Sequence, residues 1–262
     1  MLVPMGRTTL ITGVSRRRGI GFSIARRLMR EECSRAFVQS FAPYDATEPW
    51  GADPNGIEGV IAELGGASDR LGHLEVDLAD PSAPQRLVDA AVERFGPLDS
   101  LVVNHARSQL GTLRELEAGT LDATWAVNVR ASLLLVRAFA EQYRPIPQGG
   151  RVVLFTSGQH LGPEPSEIPY AATKGALRQI TPTLSDALVD REITVNCLNP
   201  GPTDTGWAAS EHAAFVARHM PRGRWNAPEE AADVVALLLA PEAATITGQV
   251  LDAESGFRRF TL

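Results

Sequence analysis

Short apolar runs alternate with longer stretches of helical periodicity along the whole chain. The runs are rich in β-branched and aliphatic residues and close on polar residues or glycine, which is typical of strands buried on both faces. They predict seven strands, at Thr8–Thr12, Arg35–Gln39, His73–Val76, Ser100–Asn104, Arg151–Thr156, Thr194–Leu198 and Gln249–Asp252.

Between these runs, apolar residues recur at the spacing of one helix face. The predicted helices cover Ile20–Glu32, Gly56–Leu64, Ala83–Phe95, Thr120–Tyr143, Tyr170–Asp190 and Pro228–Ala240. Regular alternation of strand and helix requires crossover connections, which give parallel strands with helices on both faces of the sheet. We therefore predict a single α/β domain over residues 1–262, of the Rossmann-type doubly wound class, with a seven-stranded, mostly parallel sheet.

Two segments interrupt this alternation. Residues 41–59 are rich in Pro, Gly and Asp and predict a long loop, and residues 205–225 have weak helical character and carry Trp207, Phe215 and Trp225. In this class of fold, ligands bind at the carboxyl ends of the strands, where both segments begin. We predict a substrate lid at 205–225. A position over the site and a plain surface elaboration both remain open for 41–59.

Length and composition exclude several classes of protein. The chain has 262 residues, a net charge of −6, 44% apolar residues and two cysteines, so its core needs no disulfide framework and a reducing compartment is indicated. No apolar stretch approaches the ~18–20 residues of a membrane span, and the N-terminus has no signal core. We expect a cytoplasmic protein, and the acidity argues against nucleic acid or a membrane as partner.

A glycine-rich turn follows the first predicted strand and opens the first helix. It reads TGVSRRRGIG from Thr12 to Gly21, with Gly13 and Gly19 inside it. Glycines at such a turn bring the backbone close to a pyrophosphate at the helix N-terminus. Similar turns also serve simple strand-to-helix packing, but the order strand, turn, helix favours a bound dinucleotide.

The charges near this turn favour NADP(H) over NAD(H). A free 2′-hydroxyl is usually met by an acid ~20 residues after the turn, but the second predicted strand ends in Gln39–Phe41 without a carboxylate. Arg16, Arg17 and Arg18 place three guanidinium groups beside the turn, where one could bind a 2′-phosphate. The alternative is that these arginines only solvate a loop.

Tyr170 and Lys174 stand at i and i+4 near the start of a predicted helix, so both side chains lie on one face. A cation ~5 Å from a phenolate, at an effective dielectric constant of ~20, contributes about 3.3 kcal/mol and lowers a tyrosine pKa by about 2.4 units. Lys174 is the only lysine among 25 basic residues. We predict that it acidifies Tyr170 for proton transfer; a surface lysine beside an ordinary tyrosine is the alternative.

Two more polar residues belong to this constellation. Ser157 follows the fifth predicted strand, where its hydroxyl opens into the same crevice and could hydrogen-bond a carbonyl oxygen. Asn128 lies in the middle of a predicted helix, where asparagine has poor propensity. An asparagine at such an unfavourable position indicates a buried residue with a polar role.

The order of motifs resembles that of the short-chain dehydrogenase/reductase family over nearly the whole chain, and within it most resembles the 3-oxoacyl-acyl-carrier-protein reductases. The motifs are Thr12-Gly13 with Gly19-Ile20-Gly21, Asp77-Leu78, Asn104-x-Ala106, Asn128, Ser157, Tyr170-x-x-x-Lys174 and Asn199-Pro200-Gly201-Pro202-Thr203. The resemblance implies that Tyr170 is the general acid and base, that Lys174 lowers its pKa and binds the nicotinamide ribose, that Ser157 orients the substrate carbonyl, and that Asn128 holds a water in a proton relay.

The resemblance also implies the cofactor contacts and the assembly. Asp77 and Leu78 would flank the adenine, Asn104 and Ala106 would support the cofactor, and the Pro200-to-Thr203 motif would receive the carboxamide. With the turn, the expected cofactor set is Gly13, Ser15, Arg16, Arg17, Arg18, Gly19, Ile20, Gly21, Asp77, Leu78, Asn104, Ala106, Tyr170, Lys174, Pro200, Gly201 and Thr203. The usual assembly of the family is a homotetramer or a dimer.

The chain departs from the family pattern at three points. The glycine turn is two residues longer than usual, and Asn104-His105-Ala106-Arg107 stands where the family typically has Asn-Asn-Ala-Gly, so that His105 and Arg107 are the other two. Glycine there lets the backbone approach a ligand. We hypothesise that Arg107 touches substrate or cofactor; the alternative is a side chain that points outward.

These observations predict an NADPH-dependent reduction of a ketone, in a small molecule or an acyl thioester, to a secondary alcohol. Alternatives are a non-catalytic dinucleotide-binding or sensing protein on the same fold, and an alcohol dehydrogenase running in the oxidative direction. Gln159 and His160, directly after the serine, and Trp207 in the lid are the predicted substrate contacts. No metal is predicted, because His212 and His219 lack a third ligand at suitable spacing.

Overall fold

Seven strands form one sheet in the computed structural model, which describes residues 6–208 and 210–260, apart from the side chains of residues 210–212. The strands are β1 (Thr8–Ile11), β2 (Arg35–Ser40), β3 (Leu71–Glu75), β4 (Ser100–Val103), β5 (Gly150–Phe155), β6 (Ile193–Asn199) and β7 (Val250–Asp252). Their order is β3-β2-β1-β4-β5-β6-β7, and every neighbouring pair is parallel. The predicted Rossmann-type α/β fold is confirmed.

The strand order reverses between β1 and β4. The chain runs from β1 outward to β3 and then returns to β4 on the other side of β1, with Thr9 paired to Ala36 on one side and Ser100 on the other. Connections leave in opposite directions at this point, so a crevice opens at the carboxyl ends of the two strands. The glycine turn and Asn104 follow these two strands and line that crevice.

Helices cover both faces of the sheet. They are α1 (Ile20–Met29), α2 (Ala42–Thr47), α3 (Gly56–Glu63), α4 (Ala83–Phe95), α5 (Ala118–Trp125), α6 (Ala131–Gln142), α7 (Ile168–Leu188), α8 (Ser210–His219) and α9 (Pro228–Leu239). Alternate strand residues point to opposite faces: Leu10 and Leu101 pack in the core under α4 and α6, while Ile11 and Val102 pack in the core under α1 and α9. The strands therefore place apolar residues on both faces of the sheet.

The helix predicted over Thr120–Tyr143 is interrupted. Five residues, Ala126–Arg130, form a π-helical turn between α5 and α6. The extra residue in that turn rotates Asn128 into the interior, where its side chain is fully buried. Helical periodicity alone does not distinguish such a turn from a continuous helix.

The two irregular segments each contain a short helix that the sequence pattern did not separate. Segment 41–59 holds α2 and the start of α3, and segment 205–225 holds α8. Within the described residues, no helix combines the length and the hydropathy that a membrane span requires.

Candidate active site

Two connected cavities open at the carboxyl ends of the strands. The large cavity has a volume of about 860 Å³ and reaches Ser157 and Tyr170. The small cavity has a volume of about 320 Å³ and lies along the glycine turn and the end of β2. They meet at a shared wall formed by Arg16, Ile20, Trp50, Ser108 and Thr205. An elongated ligand can therefore extend from one cavity into the other.

The glycine turn has the shape of a phosphate cradle. Gly13 has φ of 74°, and a Cβ there would lie 2.8 Å from the Cα of His105. A Cβ on Gly21 would lie 2.4 Å from the carbonyl oxygen of Gly13, so only glycine fits at either position. No side chain caps the N-terminus of α1, which leaves its first amides available to an anion. These features fit a dinucleotide pyrophosphate.

His105 joins the turn to the π-helical turn. Its Nδ1 lies 2.8 Å from the Thr12 hydroxyl and its Nε2 lies 2.9 Å from the carbonyl oxygen of Val127. A carbonyl only accepts hydrogen bonds, so Nε2 carries the proton and Nδ1 accepts one from Thr12. Burial lowers the pKa of His105 to about 4. The neutral ring therefore links the glycine turn to the π-helical turn.

Asn128 uses its whole side chain to hold neighbouring groups. Its Oδ1 accepts a hydrogen bond from the Arg107 amide at 2.7 Å, and its Nδ2 donates to the Arg107 carbonyl at 3.0 Å and to the Thr173 hydroxyl at 2.9 Å. Thr173 in turn donates to the carbonyl of Tyr170 at 2.8 Å. Asn128 therefore connects the strand β4 loop to the first turns of α7.

Ser157, Tyr170 and Lys174 form a compact group where β5 meets α7. Ser157 and Tyr170 both line the large cavity, and the Ser157 hydroxyl lies close enough to lower the pKa of Tyr170. Lys174 lies behind them, 2% exposed, with its Nζ 5.5 Å from the centre of the Tyr170 ring. Its ammonium donates to the Phe155 carbonyl at 3.0 Å. The spacing i and i+4 thus places both groups on one face, as predicted from the sequence.

The electrostatics of this group differ from the prediction. The pKa of Tyr170 is raised, chiefly by burial and further by the carboxylates of Glu167 and Glu164, while the Ser157 hydrogen bond lowers it. Burial also lowers the pKa of Lys174 to about 8. The expectation that Lys174 acidifies Tyr170 in the protein alone is therefore wrong, because desolvation of the phenolate outweighs the attraction of the ammonium.

The three arginines of the turn point in different directions. Arg16 lines both cavities; its Nε lies 3.1 Å from Asp45 and its Nη1 donates to the Thr205 carbonyl at 3.1 Å. It also stacks over the Trp50 ring at 5.6 Å. Neither Arg17 nor Arg18 lines a cavity.

Arg17 ties the turn to segment 41–59, and Arg18 ties it to the residue that precedes segment 205–225. Arg17 is paired with Asp53 at 2.7 Å, and Arg18 with Asp204 at 3.0 Å. The Arg18 pair is largely exposed, at 66% and 59% of the two side chains, so it contributes little to stability.

Arg107 lines the small cavity. Its guanidinium lies 5.7 Å from the centre of the Tyr44 ring, and the Tyr44 hydroxyl donates to the Ser108 carbonyl at 3.0 Å and accepts from the Ser108 amide at 2.8 Å. Arg107 is not among the non-glycine residues with positive φ, so the backbone tolerates a side chain here. Through Tyr44, segment 41–59 forms part of the cavity wall rather than a remote surface elaboration.

The other expected cofactor residues divide between the cavities. The small cavity is lined by Gly13, Ser15, Gly19, Asp77, Leu78, Asn104 and Ala106. The large cavity is lined by Pro200, Gly201 and Thr203 together with Tyr170. Ile20 lies at their junction. Gly21, Asn128 and Lys174 lie behind the lining and support it.

The three predicted substrate contacts are also separated. Trp207 lines the large cavity and packs edge-to-face on Trp225, with ring centres 5.8 Å apart. Gln159 turns back to donate to the Thr156 hydroxyl at 3.1 Å. His160 lies 3.1 Å from Asp252. Neither Gln159 nor His160 lines a cavity.

Sequence reasoning missed a wall of the large cavity that comes from two distant segments. It consists of Glu164 and Glu167 before α7 and of Glu254, Phe257, Arg259 and Phe260 after β7. These residues belong to no motif, although the aromatic pair in FRRF near the C-terminus was a usable signal.

No three potential metal ligands cluster within residues 6–208 and 210–260. The side chain of His212, considered above, lies outside the described residues.

Comparison with known proteins decides the family. A sequence model of a protein family described as "Enoyl-(Acyl carrier protein) reductase" matches residues 13–258. The "Uncharacterized oxidoreductase YjdA" of Bacillus subtilis (strain 168) is 36% identical over 254 residues, which cover 97% of both chains. The chain belongs to the short-chain dehydrogenase/reductase family.

Solved structures agree with this assignment. A short-chain dehydrogenase/reductase from Serratia marcescens BCRC 10948 superposes with a TM-score of 0.83 at 32% identity, covering 96% of this chain and 98% of that one. A short chain dehydrogenase from Burkholderia cenocepacia J2315, in complex with NADP, gives 0.81 at 32% identity, covering 96% and 97%. This short-chain dehydrogenase/reductase is an oxidoreductase of CH–OH and C=O groups, and the family binds a nicotinamide dinucleotide.

Proposed function

We propose that this enzyme reduces a ketone to a secondary alcohol with NADPH. The observation that carries the proposal is that Ser157 and Tyr170 both line a cavity of about 860 Å³, with the Lys174 ammonium behind the Tyr170 ring. Two hydroxyl donors at one point can polarise a carbonyl oxygen and protonate it.

In this proposal the catalytic residues are Ser157, Tyr170 and Lys174, with Asn128 as their support. When bound, NADPH supplies the hydride. Ser157 orients the carbonyl oxygen and Tyr170 gives it a proton, while the Lys174 ammonium stabilises the phenolate that remains. Asn128 is a positioning residue, because its amide is committed to Arg107 and Thr173.

Three observations support NADP(H) as the preferred cofactor. Near the end of β2, Gln39 accepts a hydrogen bond from the Gly13 N–H at 2.9 Å and donates to two backbone carbonyls. It occupies the position where NAD(H)-binding proteins usually have a carboxylate. Arg16 and Arg107 are the arginines that line the small cavity, and either guanidinium would suit a 2′-phosphate. The Burkholderia relative was solved with NADP.

The proposal extends to assembly and location. We propose a cytoplasmic homo-oligomer, a tetramer or a dimer. Leu121 and Trp125, one turn apart on α5, are 38% and 49% exposed and offer apolar surface for a second copy. Mass photometry of the purified enzyme tests the assembly, and a single monomer peak would refute it.

The function is tested with a panel of neutral ketones and acyl thioesters, using NADPH and NADH in parallel. We expect NADPH oxidation with at least one ketone, and a loss of at least about 10³-fold in kcat for Tyr170→Phe with an unchanged Kd for NADPH. Tyr143→Phe, which alters a buried tyrosine outside both cavities, is the matched control. Turnover retained in Tyr170→Phe would refute the assignment.

A further inference from the structure

The described lining of the large cavity, here called the substrate wall, contains more carboxyl groups than arginines. Two arginines are present among its described residues, Arg16 and Arg259. Arg16 is paired with Asp45 at 3.1 Å, and Arg259 binds both carboxylate oxygens of Glu254, with Nη2 to Oε1 at 2.5 Å. Both arginines of this wall therefore already pair with a carboxylate within the protein, and Arg16 lies at the junction with the small cavity, where the cofactor is proposed to bind.

Glu164 on the same wall has no such partner. Its Oε2 is shielded from solvent and makes no hydrogen bond, and no arginine or lysine forms an ion pair with it within the described residues. Burial, together with the negative charges of Glu167 and Glu254, raises the pKa of Glu164 to about 7, while the positive charge of Arg259 acts in the opposite direction. Glu164 lines the large cavity, and rotation of its carboxyl group towards an N–H donor of a ligand would recover the free energy of the missing hydrogen bond.

Aromatic rings line the same cavity as this carboxyl group. Trp207, Phe215, Trp225, Phe257 and Phe260 all line the large cavity. The faces of such rings attract cations and are compatible with an apolar substrate body. The protein already uses one of them in this way, because a guanidinium lies 5.0 Å from the centre of the Phe257 ring.

We propose that the large cavity takes a ketone that carries a basic nitrogen, and that Glu164 and the aromatic rings of the same lining hold this nitrogen as an ammonium group. This inference rests on the proposed ketone reduction and names the substrate class of that site. The unpaired carboxyl group supplies the counter-charge, and the rings supply both cation–π attraction and apolar contact. A substrate that brings a carboxylate or a phosphate to this wall meets Glu164 without an available arginine.

The charge preference is measured with three ketones of one shape. They are 4-phenylbutan-2-one and its para-aminomethyl and para-carboxylate derivatives. We expect kcat/KM to be at least about ten-fold higher for the aminomethyl ketone than for the carboxylate. Glu164→Gln is expected to remove most of that ratio. Glu93→Gln, an exposed carboxyl change on α4, is the matched control and keeps the ratio.

Binding of probes that cannot be reduced separates this inference from the proposed function. The dissociation constants of 3-phenylpropylamine, 3-phenylpropan-1-ol and 3-phenylpropanoate are measured by calorimetry on both variants and the wild type. Tighter binding of the amine that is lost in Glu164→Gln supports the inference, even if no ketone is reduced. Equal or tighter binding of the carboxylate overturns it, and so does an amine preference that persists in Glu164→Gln, while ketone reduction would still stand.

Discussion

The rear and the rim of the large cavity are built in different ways. The rear consists of Asn128, Ser157, Tyr170 and Lys174, and its supporting members are almost wholly buried, with Asn128 at 0% and Lys174 at 2% exposure. Their polar atoms are held at 2.7–3.0 Å by backbone and side-chain partners. The rear is thus a rigid platform on the sheet.

The rim consists of segments 41–59 and 205–225, which are joined to the glycine turn by ion pairs and ring contacts. The Arg18–Asp204 pair is mostly exposed, and Trp207 is 42% exposed. Exposed ion pairs contribute about 0–1 kcal/mol each. The comparison teaches that the chemistry is fixed by buried polar networks, while the selection of ligands depends on surface that can change at small cost in stability.

Replacing Lys174 gives the largest expected difference between the two regions. Lys174→Met should lower kcat by about 10³-fold, because the phenolate of Tyr170 loses its counter-charge. Its Tm should fall by only a few degrees, since the desolvation cost of a buried ammonium disappears with it. Steady-state kinetics and calorimetry measure the two effects. Unchanged turnover in Lys174→Met would contradict the proposed catalytic role of Lys174.

Replacing Asn128 tests whether the rear depends on its hydrogen bonds. Asn128→Ala leaves the Arg107 amide and the Thr173 hydroxyl without their partner, so we expect a loss of about 4 kcal/mol in the free energy of unfolding. Asn55→Ala, an exposed asparagine of the rim, should cost less than about 0.5 kcal/mol. Urea denaturation measures the free energy of unfolding of both variants. Equal losses would show that the rear depends on Asn128 no more than the rim depends on Asn55.

Acid should lower the stability of the fold through His105, which lies beside the rear platform. Its pKa is depressed to about 4 in the folded chain, against ~6.5 when unfolded. Above pH 6.5 both states are neutral and the stabilisation is complete; between pH 6.5 and 4 only the unfolded state takes up the proton, and the stabilisation is lost. This amounts to about 3 kcal/mol. The free energy of unfolding of His105→Gln should therefore change less between pH 6.5 and 4 than that of the wild type. The same pH dependence in both proteins would contradict the low pKa of His105.

The arginines of the turn provide the smallest contrast. Arg16→Ala removes a guanidinium that lines both cavities and should raise the Kd for NADPH about ten-fold, with less effect on NADH. Arg18→Ala breaks only an exposed pair and should change either Kd by less than about two-fold. Fluorescence titration measures both constants. A larger effect from Arg18 would reassign the phosphate site.

Much of the fold could be predicted because buried parallel strands are apolar on both faces. Each of the seven predicted strands lies within a few residues of its observed bounds, since the runs are closed by residues that end strands. The break in the helix at Ala126–Arg130 was not predictable in this way. A π-helical turn is stabilised by what Asn128 contacts across space, and its residues still read as one amphipathic helix.

The site was predicted unevenly for a similar reason. The one-turn spacing of Tyr170 and Lys174 placed both on one helix face, but the sign of the Tyr170 pKa shift depended on burial and on Glu164 and Glu167. Likewise, three adjacent arginines appeared equivalent, yet only Arg16 faces the cavities. Desolvation and the choice among ion-pair partners depend on segments that are far apart in the chain.

Sequence alone determined the order of strands and helices, the family and the residues that carry its motifs, because periodicity and spacing are local properties of the chain. Tertiary structure decided which groups share an environment: the charge balance around Tyr170, the partners of each arginine, and the contribution of the segment after β7 to the substrate wall. Those outcomes follow from burial and long-range electrostatics, which arise only once the sheet brings distant segments together.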